Sequence, residues 1–306
     1  MFRILKETHI DFIGHRRKAF LVSALLVLIG LTAFTMIMLN KANMGIDFAG
    51  GTMIQGNFAD PINIADLRDA VTNEFPEAAI QELERHNVPN SYIIRVKETT
   101  AGDQKAVDRL REIISARFEG NTFTRDSEHI IGPAVGESLK ESARWAVIIS
   151  VLGLIMYIWV RFDFRSGIAA TVATFHDVMA VLGIFFILDK EITLLVITAL
   201  LTLAGYSLTD TVVVYDRIRE NLKKSRKKGQ FVKTVNDSIN EVLSRTVMTS
   251  LTSLLVAVSL FFFGGEVLHD FSLALILGII IGTYSSIFVA RPIVVEWEAK
   301  SPKRFK

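Results

Sequence analysis

Cysteine is absent from this 306-residue chain. Its absence excludes disulfides, thiolate metal sites and a cysteine nucleophile. A surplus of either charge is missing too: 34 Lys and Arg face 32 Asp and Glu, a formal net charge of +2. Nothing in that balance calls for a nucleic-acid partner. No Gly-x-x-x-x-Gly-Lys-[Ser/Thr] phosphate loop occurs, so the sequence offers no ATPase of its own. No metal-ligand cluster and no cofactor motif is present; His86 and His129 read as surface residues.

What the chain does have is long apolar runs. Half of its residues are apolar and its mean hydropathy is +0.38. Soluble proteins approach the same fraction, so arrangement decides the matter. A helix crosses the bilayer core with roughly 20 mostly apolar residues. Six segments qualify: 19–39, 145–160, 166–188, 192–215, 246–265 and 271–290. The second is short, and Glu141 and Arg144 can snorkel at its start. The first follows a basic segment, as a signal peptide would. Its 21 uncharged residues exceed a typical h-region, and Asn40-Lys41-Ala42 is a poor cleavage site, so it reads as a retained helix.

Orientation follows from the bases in the short loops. Arg3, Lys6, Arg16, Arg17 and Lys18 precede the first span; Arg161 and Arg165 follow the second. A dense basic loop from Arg217 to Lys228 follows the fourth, and the tail adds Arg291, Lys300, Lys303, Arg304 and Lys306. The opposite short loops hold only Lys190 among bases. Both termini are therefore expected in the cytoplasm, with the long segment after the first span outside.

That outward segment has soluble periodicity. Strands are predicted at 52–58, 78–84, 92–97 and 122–131, with a turn at 87–90. Helices are predicted at 64–75, capped by Asn63, and at 104–118, capped by Asp103, with Val107, Leu110, Ile114 and Phe118 as a buried stripe. The order β-α-β-β-α-β is the ferredoxin-like arrangement. The expected fold is a polytopic α-helical membrane protein with six transmembrane helices and an α+β ferredoxin-like extracytoplasmic domain. Its parts are a cytoplasmic segment 1–18, helix 19–39, the extracytoplasmic domain 40–142, helices two to six over 143–290, and a cytoplasmic tail 291–306. Within the helical part, 216–245 reads as a basic loop and an amphipathic helix.

Ionisable residues inside the hydrocarbon carry the functional information, because a mid-helix Asp costs roughly 2.5–3.5 kcal/mol there. Asp210 lies in the fourth span, and helical spacing gathers Thr202, Tyr206, Thr209 and Asp210 on one face. Arg245 opens the fifth, followed by Thr246, Thr249, Ser250 and Ser253 on one face. The two spans run antiparallel, so Asp210 and Arg245 share the cytoplasmic half and are within reach of each other. The alternative is an ordinary positive-inside Arg245, with Thr and Ser aiding helix packing. In the third span Asp177 is a candidate for the same polar lining. Adjacent residues diverge by about 100° on a helix, so His176 is not expected to share its direction. Residues 230–243 put Phe231, Val235, Ile239 and Val242 on one face, which reads as an amphipathic helix in the membrane plane, against a solvent-facing connector. The opening segment 2–13 carries a weaker pattern of the same kind.

Gly45-Ile46-Asp47-Phe48-Ala49-Gly50-Gly51-Thr52, after the first span, resembles the signature of the bacterial SecD/SecF secretion proteins. Ile131-Gly132-Pro133-Ala134-Val135-Gly136 resembles the family's second motif. Phe175-His176-Asp177-Val178, the stretch from Gly205 to Asn221, and Ser244-Arg245-Thr246 are similar to the SecF side of the family rather than the SecD side. The departures, Thr209 where Asn is frequent and Tyr215 where Phe is, remove no ionisable group. One outward domain in 306 residues resembles the separate subunit rather than a fusion.

The resemblance implies a non-enzymatic export accessory of the resistance-nodulation-division superfamily in the bacterial cytoplasmic (inner) membrane. It implies pairing with SecD, association with the SecYEG channel and YajC, contact with membrane lipid, and use of the proton-motive force on a translocating unfolded polypeptide. It also implies that the span-four acid and span-five arginine, Asp210 and Arg245, move protons, with Gly45, Asp47, Gly50 and Gly51 as the motif after the first helix. A related exporter of small molecules or lipids would share the six-helix unit, but such pumps usually have twice the spans. Gly205-Tyr206-Ser207 faintly echoes intramembrane serine proteases, yet Leu208 stands where those have Gly.

Overall fold

A computed structural model describes residues 8–39, 41–76, 78–85, 88–97, 103–224 and 230–301. In chain order the elements begin α1 (Arg16–Met38), α2 (Ile46–Ala49), β1 (Gly51–Phe58), α3 (Ile64–Thr72), β2 (Ala79–Arg85), β3 (Val88–Val96), α4 (Asp103–Arg117) and β4 (Phe123–Ile131). They continue α5 (Pro133–Arg161), α6 (Phe164–Ile187), α7 (Leu194–Lys224), α8 (Phe231–Phe263), α9 (Gly265–Phe288) and α10 (Ala290–Lys300). Two compact units result: one comprises Met44–Ala146 with Glu191–Leu194, the other the remaining described residues.

The first unit is built on a four-stranded sheet in the order β2-β3-β1-β4, every neighbouring pair antiparallel. With α3 and α4 this is the ferredoxin-like arrangement that the strand and helix order predicted. Asn63 starts α3 as expected: its Oδ1 accepts from the Ala65 amide at 2.9 Å, satisfying one of the unpaired donors of the first turn. Ile54 and Phe58 of β1, Tyr92 and Ile94 of β3, Leu67 and Val71 of α3, and Leu110 and Ile114 of α4 form one apolar core. Burial pushes the Tyr92 phenol above its ordinary range, with Glu82 adding to it, and the hydroxyl donates to the Ile62 carbonyl at 3.2 Å. His129 is exposed, as read; His86 lies outside the described residues. The predicted turn at 87–90 is corrected. β3 already begins at Val88, and Asn90 adopts φ 56°, the left-handed conformation that Asn tolerates better than most residues.

Among the described residues, six helices are long and apolar enough to cross a membrane: Arg16–Met38, Pro133–Arg161, Phe164–Ile187, Leu194–Lys224, Phe231–Phe263 and Val267–Lys300. They coincide with the six predicted spans and extend several of them. α1 packs along α6, α8 along α9, and α6 against α9. Without a hydrophobic force between helices in lipid, small residues set how closely they approach. A Cβ at Gly30 of α1 would strike the Met179 carbonyl of α6, and one at Gly183 would meet the Gly30 amide, so this crossing needs glycine.

One expectation is overturned here. The predicted in-plane amphipathic helix does not exist as a separate element, because α8 runs unbroken from Phe231 to Phe263. Its apolar stripe has protein to bury against: Val235, Ile239 and Leu243 share a core with Phe12, Ile13, Tyr215 and Ile218. The opening segment, for its described part, is tied to α8. Asn236 Oδ1 accepts from the Phe12 amide at 2.9 Å, and Asn240 Oδ1 from the Ile10 amide at 2.9 Å. Residues 1–7 lie outside the described residues.

Candidate functional site

Asp210 sits roughly sixteen residues into α7, about 24 Å along the helix at 1.5 Å per residue. It is only 7% exposed. Its carboxylate faces α8, where the Thr249 and Ser250 hydroxyls donate to it at 3.5 Å each. That is the outer limit of a hydrogen bond, so the carboxylate is loosely held. Ser250 also shares a hydrogen bond of 2.7 Å with Thr283 of α9. Thr246 is buried and its hydroxyl has no partner among the described residues.

Arg245 does not close on Asp210 as anticipated. No ion pair within 4 Å joins them among the described residues, and Arg245 is exposed on α8. Thr202 and Thr209 are likewise exposed, their hydroxyls bonded to their own helix at Thr198 and Gly205. Tyr206 is half-buried, and its hydroxyl has no partner among the described residues. The predicted polar face therefore divides. Asp210 and Ser250 turn inward, while Thr202, Thr209, Arg245 and Thr249 are exposed.

The buried cation nearest the site is one that the sequence reading assigned to a cytoplasmic tail. Arg291 of α10 is 0% exposed. Its Nη2 donates to the Asp210 and Thr211 carbonyls at 3.2 Å each, and its guanidinium lies 5.3 Å from the centre of the Tyr215 ring. Tyr215 in turn donates to the Ala290 carbonyl at 2.8 Å, pinning α7 to α10. Nothing in the local sequence separated Arg291 from the other basic residues of that end, except its place directly after an apolar run.

Asp177 belongs to a second, closed cluster. It is 0% exposed, and its carboxylate accepts from Ser207 of α7 and, at 2.8 Å, from Ser285 of α9. His176 Nδ1 lies 2.9 Å from its other oxygen, so the two adjacent residues do share a direction. The helical-wheel argument failed because it counts Cα directions and ignores how far an imidazole reaches back. Neither Ser207 nor Ser285 was singled out from sequence. Ser207 donates straight to a carboxylate, and His269 instead lies against Asp270 and the Phe261 ring, so these two residues are not paired with each other.

The glycine-rich motif after α1 forms a joint within the sheet unit. The Asp47 carboxylate accepts from the Leu194 amide at 2.9 Å, capping the first turn of α7. Gly45 donates to the Ile192 carbonyl at 3.0 Å, and Arg95 pairs with Glu191 at 3.6 Å. Gly51 adopts φ 134°, and a Cβ there would strike the Val96 carbonyl, so glycine is required on both counts. Asp47→Ala should cost about 1 kcal/mol through loss of the cap, and Asp47→Asn much less, as thermal unfolding in detergent will measure. Equal losses for both would contradict capping.

Comparisons with known proteins agree with this architecture. Residues 113–300 match the family model described as protein export membrane protein SecD/SecF, C-terminal. A protein translocase subunit SecF of Thermodesulfovibrio yellowstonii is 50% identical over 96% of this chain and 97% of its own length. One from Endomicrobium trichonymphae is 41% identical over 99% and 96%. Among solved structures, SecDF of Thermus thermophilus, described as a translocon-associated membrane protein, aligns with a TM-score of 0.79 at 35% identity. That alignment covers 96% of this chain and 39% of the SecDF chain, so this chain spans about two-fifths of that longer protein. A SecDF structure in a super-membrane-facing form aligns with a TM-score of 0.68. On sequence and fold together, the chain belongs to the SecD/SecF family of protein export membrane proteins.

Proposed function

We propose that this chain couples the proton-motive force to protein export, paired with a SecD subunit in the bacterial cytoplasmic membrane. Both basic ends then lie in the cytoplasm and the ferredoxin-like domain lies outside, where it acts on the emerging unfolded polypeptide. The SecYEG channel, YajC and the surrounding lipid are the other partners in this reading. The observation that carries it is Asp210: a 7%-exposed carboxylate in a spanning helix, held only by two hydroxyls at 3.5 Å. Low-dielectric surroundings make its ionisation energetically large, so gaining or losing a proton rearranges the helices packed on it. One charge moved through 100 mV supplies about 2.3 kcal/mol, a bias of roughly fifty-fold between two arrangements.

Partnership with SecD is supported by the polar residues this chain leaves uncovered. Thr202, Thr209, Arg245 and Thr249 are exposed on helices α7 and α8. An arginine facing hydrocarbon is costly, whereas a second set of helices would cover it. Arg245 in this reading works at the seam with SecD, and Thr246, Thr249 and Ser250 line the path from it to Asp210. Asp177 is the inner member of the polar interior.

The test is export in membrane vesicles with selective ionophores. A protonophore should remove the gradient-dependent increment of export and leave the ATP-driven part. A sodium-selective ionophore should leave both intact. Loss of the increment with the sodium ionophore alone would reassign the coupling ion.

A further inference from the structure

We propose that Arg291 is the resident counter-charge of Asp210, a positioning residue whose two unpartnered guanidinium nitrogens receive the carboxylate when it is ionised. When protonated, the carboxyl turns back to Thr249 and Ser250. The inference rests on reading Asp210 as the group that takes and gives up the proton; Arg291 itself stays protonated throughout.

The argument begins with donors. A guanidinium carries five N–H groups and accepts nothing. Nη2 is used on the Asp210 and Thr211 carbonyls, but Nε and Nη1 are buried without a partner among the described residues. A fully buried cation with open donors is costly unless an anion answers it. Asp210 is the carboxylate that hangs from the same turn of α7 whose carbonyls Arg291 already holds. Its present contacts, at 3.5 Å, are weak enough to exchange.

Arg291 is also fixed in a way Arg245 is not. The Tyr215 ring lies 5.3 Å from its guanidinium, and Tyr215 is anchored to Ala290, the residue before it. The cations on the elements packed around Asp210 are Arg291 of α10, buried against its backbone carbonyl, and Arg245 of α8, which is exposed. The groups acting on Arg291 are Tyr215 and Asp210, with Asp163 beyond Tyr215. A buried, immobile cation sets the charge state of the acid, and the exposed one is free to serve at a partner seam.

The test is a double-mutant cycle on the chain copurified with its SecD partner, read by melting temperature, together with a pH profile of gradient-dependent export. Arg291→Met removes the charge and keeps the volume. Arg291→Gln removes the charge but keeps an amide donor for the two carbonyls, and Arg291→Lys keeps the charge. Arg291→Met should lower the melting temperature more in the wild-type chain than in the Asp210→Asn background, where no negative charge remains to answer. The pH profile should move alkaline by at least about one unit in the Met and Gln variants and stay in place in the Lys variant. Equal loss of melting temperature or of recovered protein in both backgrounds overturns the proposal, as does an unmoved profile in the Met and Gln variants. Undiminished gradient-dependent export by Asp210→Asn alone would instead sink the proton reading of Asp210. The melting cycle judges Arg291 separately.

Discussion

Asp210→Asn is expected to abolish the whole gradient-dependent increment of export while the chain still inserts and assembles with its partner. Asn has the shape of Asp: its one carbonyl oxygen can accept from one of the Thr249 and Ser250 hydroxyls and its amide can donate to the other, so the packing of α7 on α8 should survive. What it loses is the ability to change charge. If a titrating carboxylate is the transducer, no residual coupling remains, because Asn cannot take up or release a proton in the working range. Export driven by ATP alone should be unaffected. A variant that assembles normally and retains the full increment would mean that the proton passes elsewhere.

The second large effect is expected at Asp177, on stability. Its carboxylate gathers three donors from three helices: His176 at 2.9 Å, Ser207, and Ser285 at 2.8 Å. Asp177→Ala removes the acceptor that joins all three, leaving Ser285 only the Gly282 carbonyl at 3.2 Å, and should cost about 3–5 kcal/mol, the range for breaking a buried charged network. Asp177→Asn keeps one acceptor oxygen but opposes a donor with a donor, and should cost about 1–3 kcal/mol. Chemical unfolding in detergent, or the amount of chain recovered from membranes, measures both. A melting transition unchanged in Asp177→Ala would show that the cluster does not hold α6, α7 and α9 together.

The spans were legible because apolar length is a direct demand of the bilayer, and the sheet domain because its strands alternate and its helices carry caps such as Asn63. The continuity of α8 was not. A stripe at 3.6-residue spacing looks the same whether it buries against lipid or protein, and Val235, Ile239 and Leu243 happen to have Phe12 and Ile13 above them. Asp210 was found because an acid in an apolar run is anomalous wherever it points. Arg291 was missed for the opposite reason: arginine at the basic end of a span is the normal pattern, and only packing distinguishes a buried one. The pairing of Asp210 with Arg245 was inferred from antiparallel depth alone. Depth brings two residues to one level of the membrane but does not set the rotation of each helix, and α8 turns Thr249 and Ser250 toward the acid instead.

The central claim is that one carboxylate changes its ionisation as the gradient is applied. Infrared difference spectroscopy of the reconstituted complex reads this directly, with the carboxylic-acid band of Asp210 identified by its loss in Asp210→Asn. Imposing a proton gradient should change the amplitude of that band in the wild-type complex and produce no such change in the variant. A difference spectrum identical in the two would contradict the account.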